Sequence, residues 1–562
     1  MPTRWKACRC AGVTCVCVNY KLKELLVRLS WLGLAVLLAV SGGHATAATR
    51  PNFLIIVADD MGFADIGCYG GEIATPNLDK LASNGLKFTQ CYSTARCWPS
   101  RSCLLTGYYA QQVGMDPPTR KKLPPWARLL PHYLKPEGYR CYHSGKWHIM
   151  NAPRPVQDGG FDRSYSIEDH DRYFAPKRAM LDDKWLPPVA PDSGFYLTTA
   201  IADYAIGFLR EHAQTNADKP FCLYLAFTSP HFPLHALPQD IERYKDVYLK
   251  GWDEVRKERF ARQKKMGLVS GSLSPLDPKT IPSWNLSEEA LHQKIGPGEV
   301  GHAVPWKTLT PEQKKFQAAK MAIHAAMIDR MDREIGRVLE QIRSMNAWDN
   351  TVVFFVSDNG ASAEQIIRGD KHDTNAPPGS AATFLCLGPG WSTAANTPFR
   401  LHKSWVHEGG ISSPLIVHWP AGISTGGALR RGPVHFVDIL PTVLELAGVK
   451  PSESWNGHSP PPLPGRSFLP LLARDDSGWQ RDWLYFSHVG NRALRVGDWK
   501  AVAAGTNGAW ELYNLQRDRE ELRDLSKRYP DKLREMVKQW ETLDKEFRQQ
   551  AVSEDWPPVT AR

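Results

Sequence analysis

Apolar runs that stop abruptly at polar residues recur along this chain. Phe53 to Ala58 is continuously apolar and ends in Asp59-Asp60-Met61-Gly62, the pattern of a strand buried on both faces of a parallel or mixed sheet. Thr75-Pro76-Asn77 through Asn84-Gly85 carries an N-cap, a proline at the first helical position and a terminal glycine, which predicts a helix. Ile201, Tyr204, Ala205, Phe208 and Leu209 recur at the 3.6-residue period and precede a second apolar run, Phe221 to Phe227. Met327, Met331, Ile335, Val338, Leu339 and Ile342 form another stripe, followed by the run Thr351 to Val356. Helices alternating with buried strands predict an α/β layered domain.

The residues just past each strand carry the most information. Asp59-Asp60 ends the first, Ser229-Pro230-His231 closely follows the second, and Asp358-Asn359-Gly360 ends the third. Ligands of open α/β sheets bind beyond the carboxyl ends of the strands, so the site is expected at that edge. Between His231 and Ala318 the chain turns polar, with Arg256 to Lys265 helical and Gly271 to Pro282 a loop. That stretch reads equally as an insertion over the active edge or a solvated excursion. Pro414 to Trp419 is a further strand, Asp438 to Gly448 a capped helix, and Pro460 to Pro464 a linker. Beyond it, short strands at 483–486, 493–496, 499–502 and 510–513 precede a helix from Pro530 to about Phe547, a small α+β domain. The 562 residues thus divide into a leader at 1–48, a large domain at 49–465 and a small one at 466–562.

Charge changes this picture little. The formal +10 includes +5 from residues 1–48 alone, and no basic-aromatic run suggests nucleic acid as a partner. Lys21, Lys23 and Arg28 precede the apolar stretch Leu29 to Val40, and Ala45-Thr46-Ala47 offers a small-x-small cleavage site. This predicts a signal peptide and an exported, periplasmic or secreted protein, held at a membrane only if the leader is retained. The Cys-x-Cys pairs at Cys8/Cys10 and Cys15/Cys17 lack the spacing of structural zinc sites and read as part of an upstream mis-start. The seven later cysteines show no disulfide framework and are expected mostly as buried apolar residues.

One cysteine is different. In Cys97-Trp98-Pro99-Ser100-Arg101, Pro99 reads as a helix start with Cys97 just ahead and Arg101 one turn along on the same side. A reactive group would then lie at a helix N-terminus beside a guanidinium, where an anion is welcome. A buried cysteine near an ordinary helix start is the alternative. Asp59, Asp60, Asp358 and Asn359 offer only oxygen, which suits Ca²⁺ or Mg²⁺ rather than zinc, although each pair could also cap a turn.

The string Cys97 to Gly107 resembles the sulfatase signature Cys-x-Pro-Ser-Arg-x-x-x-Leu-Thr-Gly at every fixed position. The resemblance covers most of residues 50 to about 515 and implies an alkaline phosphatase-like fold, a large mixed β-sheet sandwiched by helices. It implies that Cys97 is oxidised to formylglycine by a maturation enzyme acting on the unfolded chain. Both acidic pairs match the family's metal positions; sequence separates the two ions poorly, and the family points to Ca²⁺. Gly145-Lys146-Trp147-His148 resembles the block that supplies a lysine and a histidine to nucleophile and sulfate. Ser229-Pro230-His231-Phe232-Pro233 resembles the segment whose histidine contacts the sulfate and leaving oxygen, and Asn396 to Gly410 the block whose lysine, here Lys403, binds sulfate. His235, His372, His402 and His407 have no comparable warrant. Ile149-Met150 stands where many relatives have Leu-Gly.

The implied reaction is hydrolysis of an aryl or carbohydrate sulfate monoester, as in bacterial-type arylsulfatases. Metal, Arg101, Lys146, Lys403 and the histidines surround the anion with positive charge. A hydroxyl of the hydrated aldehyde, activated by the metal and Asp358, attacks sulfur, and His231 protonates the leaving oxygen. The second hydroxyl, deprotonated by His148, then expels sulfate, a route that serine or cysteine lacks. Two alternatives remain: a phosphodiesterase or phosphonate monoester hydrolase of the same superfamily, and a sulfated-glycan binder with Cys97 unconverted. The loop Asp158 to Asp171 and the insertion, which would set the leaving group, match no interpretable pattern.

Overall fold

The computed structural model describes residues 50–117, 122–369, 372–474 and 478–551; the leader, its cysteine pairs and its cleavage site lie outside them. Eleven strands build one mixed sheet: β1 (Asn52–Ala58), β2 (Leu86–Tyr92), β3 (Arg140–Lys146), β4 (Arg163–Ile167), β5 (Ala179–Leu181), β6 (Lys184–Trp185), β7 (Phe221–Ala226), β8 (Thr351–Ser357), β9 (Ser412–His418), β10 (Ala428–Arg430) and β11 (Val434–His435). Their order is β10-β2-β9-β8-β1-β7-β3-β4-β5-β6, with β11 also on β2. The central block β8-β1-β7-β3-β4 is parallel throughout, so five strand ends reach one edge.

β1 is buried on both faces, and its alternating residues enter two different cores. Leu54, Ile56 and Ala58 pack with Leu223, Leu225 and Phe355 under the helices Leu197–Thr215 and Pro311–Ser344. Phe53, Ile55 and Val57 pack with Tyr224, Phe354 and Leu105 on the opposite side. This period-2 division is why the run is apolar at every position. Among the described residues, no helix is long and apolar enough to cross a membrane.

A second sheet, β12 (Leu484–His488), β13 (Asn491–Val496), β14 (Trp499–Ala503) and β15 (Glu511–Asn514), is antiparallel. With the helix Pro530–Gln550 it forms the smaller C-terminal part, and Tyr485, Leu494, Leu512 and Trp540 join the core that holds Phe53 and Ile55. At the proline tract 460–464, Tyr108 donates to the Pro461 carbonyl at 2.6 Å. The stretch after His231 holds the helix Gly251–Lys265, and it packs rather than straying into solvent. Arg259 is buried against Asp65 (2.8 Å) and Glu72 (2.7 Å), and Asn285 donates to the Ala363 carbonyl at 3.0 Å. The seven cysteines of the described residues are all buried and unpaired.

Candidate active site

The helix bearing Cys97 differs in detail from the sequence expectation. It spans Cys97–Thr106 with Arg96 as an extended N-cap, so Cys97 is the first helical residue and Pro99 the third. The physical reason is that proline's missing N–H is harmless anywhere in the first turn. Ser100 fixes the entry by accepting from the Thr94 amide at 3.1 Å. Cys97 is 2% exposed, and burial holds its thiol above the ordinary cysteine value despite Lys146 and Lys403 nearby. As a thiol it is a poor nucleophile.

The ends of β1, β3, β7 and β8 bring Asp59, Asp60, Lys146, His148, His231, Asp358 and Asn359 around it, the same helix adds Arg101, and the loop before β9 adds Lys403. Lys146 Nζ lies 2.5 Å from Asp59 Oδ2. Arg101 Nε donates to Asp358 Oδ2 at 2.9 Å and Nη1 to the Lys146 carbonyl at 2.9 Å, while Nη2 stands 3.6 Å from Asp59 Oδ2. Asn359 Nδ2 donates to Asp60 Oδ1 at 2.6 Å, and the Asp60 amide donates to Asp358 Oδ1 at 3.3 Å. Lys403 Nζ reaches Asp60 Oδ2 at 2.8 Å and His231 Nε2 at 3.4 Å. A close backbone approach delivers that lysine: a Cβ on Gly360 would lie 1.9 Å from the Gly409 carbonyl oxygen, and the Lys403 amide donates to the Ala361 carbonyl at 3.1 Å. Asp60 and His148 hold left-handed backbone at φ 63° and 56°, strain of a kind that collects at functional sites.

The donor set fits a hard divalent cation. Asp59 Oδ1 and Asn359 Oδ1 are buried oxygens without a hydrogen-bond partner, and nothing but a cation or a donor group would compensate them. Burial, with Asp358 next, pushes the Asp59 carboxyl up; burial also raises Asp60 against the pull of Lys403. One atom each of Asp59, Asp60 and His231 lies within 4.8 Å of the others, which sets an imidazole beside the oxygen ligands.

The imidazoles are neutral at rest. Burial, then Lys146, holds His148 well below the ordinary histidine value, and its buried Nδ1 has no partner. Burial, then Lys403, does the same to His231, whose Nδ1 contacts the Phe232 carbonyl at 2.6 Å. That contact places the proton on Nδ1 and leaves Nε2 as an acceptor facing Lys403.

Three contributors escaped the sequence reading. Glu364 is buried and accepts from Trp284 Nε1 at 2.9 Å while lying 3.1 Å from Lys403 Nζ and 3.4 Å from Arg96 Nη2. His170, just past β4, stands with its ring 5.4 Å from that of His148 and 5.2 Å from that of His231. Trp98 packs its ring 5.6 Å from His148 and 5.8 Å from His488 of the C-terminal sheet. Of the histidines left without warrant, His235 contacts the Thr383 carbonyl at 2.7 Å, His402 the Ser392 hydroxyl at 2.8 Å, and His407 Glu511 at 3.3 Å. His372 contacts the Ile295 carbonyl at 3.3 Å.

A mixed α/β sheet whose strand ends gather acids, lysines and an arginine around one small residue defines a hydrolase of the alkaline phosphatase superfamily. The sulfatase family profile matches residues 51–449, and that of the N-sulphoglucosamine sulphohydrolase C-terminal region matches 399–550. An uncharacterized sulfatase of Schizosaccharomyces pombe is 31% identical over 87% of this chain and 93% of its own length. An arylsulfatase of Klebsiella aerogenes is 31% identical over 75% of this chain and 92% of its own. The crystal structure of Ps i-CgsB with k-i-k-neocarrahexaose superposes with a TM-score of 0.62 at 24% identity, covering 91% of this chain and 96% of that one, a likeness of fold. The chain belongs to the sulfatase family, and it is an arylsulfatase-like enzyme.

Proposed function

We propose that the protein hydrolyses a sulfate monoester of a phenol or carbohydrate through formylglycine made from Cys97. The observation that carries this reading is the placement of Cys97, a buried, protonated thiol in a helix first turn, among Lys146, Lys403, Asp59 and Asp358. A thiol acting as nucleophile would need a depressed pKa, and this site raises it. Once hydrated, the aldehyde would supply paired hydroxyls, one to attack sulfur and one to release it. Asp59, Asp60, Asp358 and Asn359 would hold a divalent cation, Ca²⁺ on the family's precedent, which polarises the sulfate oxygens.

The protein's own residues account for the rest. Arg101, Lys146 and Lys403 are already fixed by carboxylates, so they meet the sulfate without reorganising. His148, neutral and with a free nitrogen, suits the base. His231 cannot act as acid from its resting form. An arriving anion favours its protonation, and Lys403, held charged by Asp60 and Glu364, stands 3.4 Å from Nε2. We assign proton delivery to the leaving oxygen to His231. Export, through the leader at 1–48, belongs to the same proposal.

Mass spectrometry of the peptide carrying residue 97, from protein that turns over 4-nitrophenyl sulfate, tests the reading. A mass loss matching thiol to aldehyde is expected; an intact thiol in fully active protein sinks it. Preferential turnover of a phosphate diester or phosphonate would select the other branch of the superfamily.

A further inference from the structure

The loop beyond β4 holds one imidazole in place without bonding to it. The Asp169 carboxylate accepts from the amides of Lys177 (2.8 Å) and Arg178 (3.1 Å) and lies 3.5 Å from Arg172 Nε. The Tyr173 hydroxyl reaches the carbonyls of Thr228 (2.6 Å) and His231 (2.9 Å), tying the loop to the catalytic segment. Between these anchors His170 is only partly covered, with its ring against those of His148 and His231. Among the described residues, neither of its nitrogens has a hydrogen-bond partner.

A second group without an anionic partner stands beside it. Arg368 is exposed, and its guanidinium carbon lies 5.3 Å from the Phe232 ring centroid. Lys403 Nζ lies 5.3 Å from the same centroid, so the two cations are no further apart than twice that distance. Phe232 in turn packs on His231, with ring centroids 4.2 Å apart. Glu364 pairs with Lys403 and Arg96, whereas Arg368 has no carboxylate partner among the described residues. The cations that would take the scissile sulfate are buried, while Arg368 is at the rim. A guanidinium left free there is suited to a planar or tetrahedral oxyanion.

We propose that His170 and Arg368 form the leaving-group side of the site, and that the preferred substrate carries a second anionic substituent, a sulfate or a carboxylate, on its alcohol or phenol. His170 hydrogen-bonds the leaving group near the scissile oxygen, and Arg368 pairs with the second anion. This rests on the sulfatase reading above.

The test compares 3-carboxyphenyl sulfate with 3-carbamoylphenyl sulfate, equal in size and different in charge, by sulfate release. Glucosamine carrying one sulfate or two forms the sugar arm and separates carboxylate from sulfate recognition. A kcat/KM about tenfold higher for the charged partner is expected, shrinking as salt is raised. The ratio falls toward one in Arg368→Gln and is retained in Arg368→Lys. His170→Phe raises KM for charged and neutral substrates alike and leaves their ratio standing. A ratio near one in the wild type, or one that Arg368→Gln leaves unaltered, overturns the proposal; an unchanged KM in His170→Phe overturns the part given to that residue. Equilibrium binding of the same four probes to Cys97→Ala makes the comparison without turnover. Preferential binding with no hydrolysis by the parent enzyme counts against the sulfatase reading alone, and absence of any preference counts against this inference.

Discussion

Replacing Glu364 by glutamine removes a charge from the wall of the site without emptying the space. Burial by itself would raise this carboxyl, but Lys403 and then Arg96 overcome it and hold the group at about 2, against an ordinary value of 4.5. A shift of that size corresponds to roughly 3 kcal/mol in favour of the charged form, in line with the roughly 3–5 kcal/mol lost when one member of a buried pair is removed. In the variant the amide still accepts from Trp284, yet its own N–H groups face an ammonium, and Asp60 is left as the sole anion on Lys403. The expected cost at pH 7 is about 3 kcal/mol. In a protein of this size that is a melting shift of only about 3 °C, so urea titration followed by tryptophan fluorescence is the better assay. The sign with pH follows from the depressed value. The contribution is complete above the unfolded glutamate value and is lost as pH falls through the folded one, so the gap between wild type and variant closes between about pH 5 and pH 2. Because Lys403 also loses its orientation, kcat/KM for an aryl sulfate should drop at least about tenfold. A variant within about 1 kcal/mol of wild type at pH 7, with unchanged activity, would refute the reasoning.

Other outcomes follow from the same geometry. Cys97→Ala should abolish sulfate release while leaving the circular dichroism spectrum and melting temperature close to wild type; retained activity would defeat the assignment of residue 97. Chelation should lower both activity and melting temperature, with Ca²⁺ restoring them, and Asn359→Ala should bind less metal by elemental analysis; a metal content unaffected by that change would remove Asn359 from the ligand set. Desolvation, with the cations of the site beside it, holds His148, His170 and His231 well below 6.5, so the unfolded chain binds protons there that the folded one refuses. Stability should therefore decline as pH drops below about 6.5, and His170→Gln should flatten that slope in a thermal-melt series.

The legible parts of this protein were those where one residue type forces one environment. β1, β7 and β8 could be read because strands covered on both faces tolerate little but apolar side chains, and the acids after β1 and β8 and the histidine after β7 stand where ligands of such sheets bind. β3 could not. Its Tyr142, His143 and Ser144 look like a loop until Ser164, His212 and the Ile201 carbonyl are brought in from elsewhere to satisfy them. The same limit hid Glu364 and His170. Neither stands in a recognisable motif, and each acquires its neighbours only when loops from β8 and β4 fold over the same edge. The helix start moved by two residues because proline marks a first turn, not a position within it.

The burial of Cys97 has a consequence for how active enzyme accumulates in a cell. Under the proposed conversion, a side chain 2% exposed in the folded protein is beyond the reach of any modifying enzyme, so chemistry at residue 97 must finish before the chain closes over it. Maturation then becomes a race whose loser is permanent: molecules that fold first stay inert however much maturation enzyme is added later. Specific activity would vary between expression hosts in proportion to that race, with no difference in structure to reveal it.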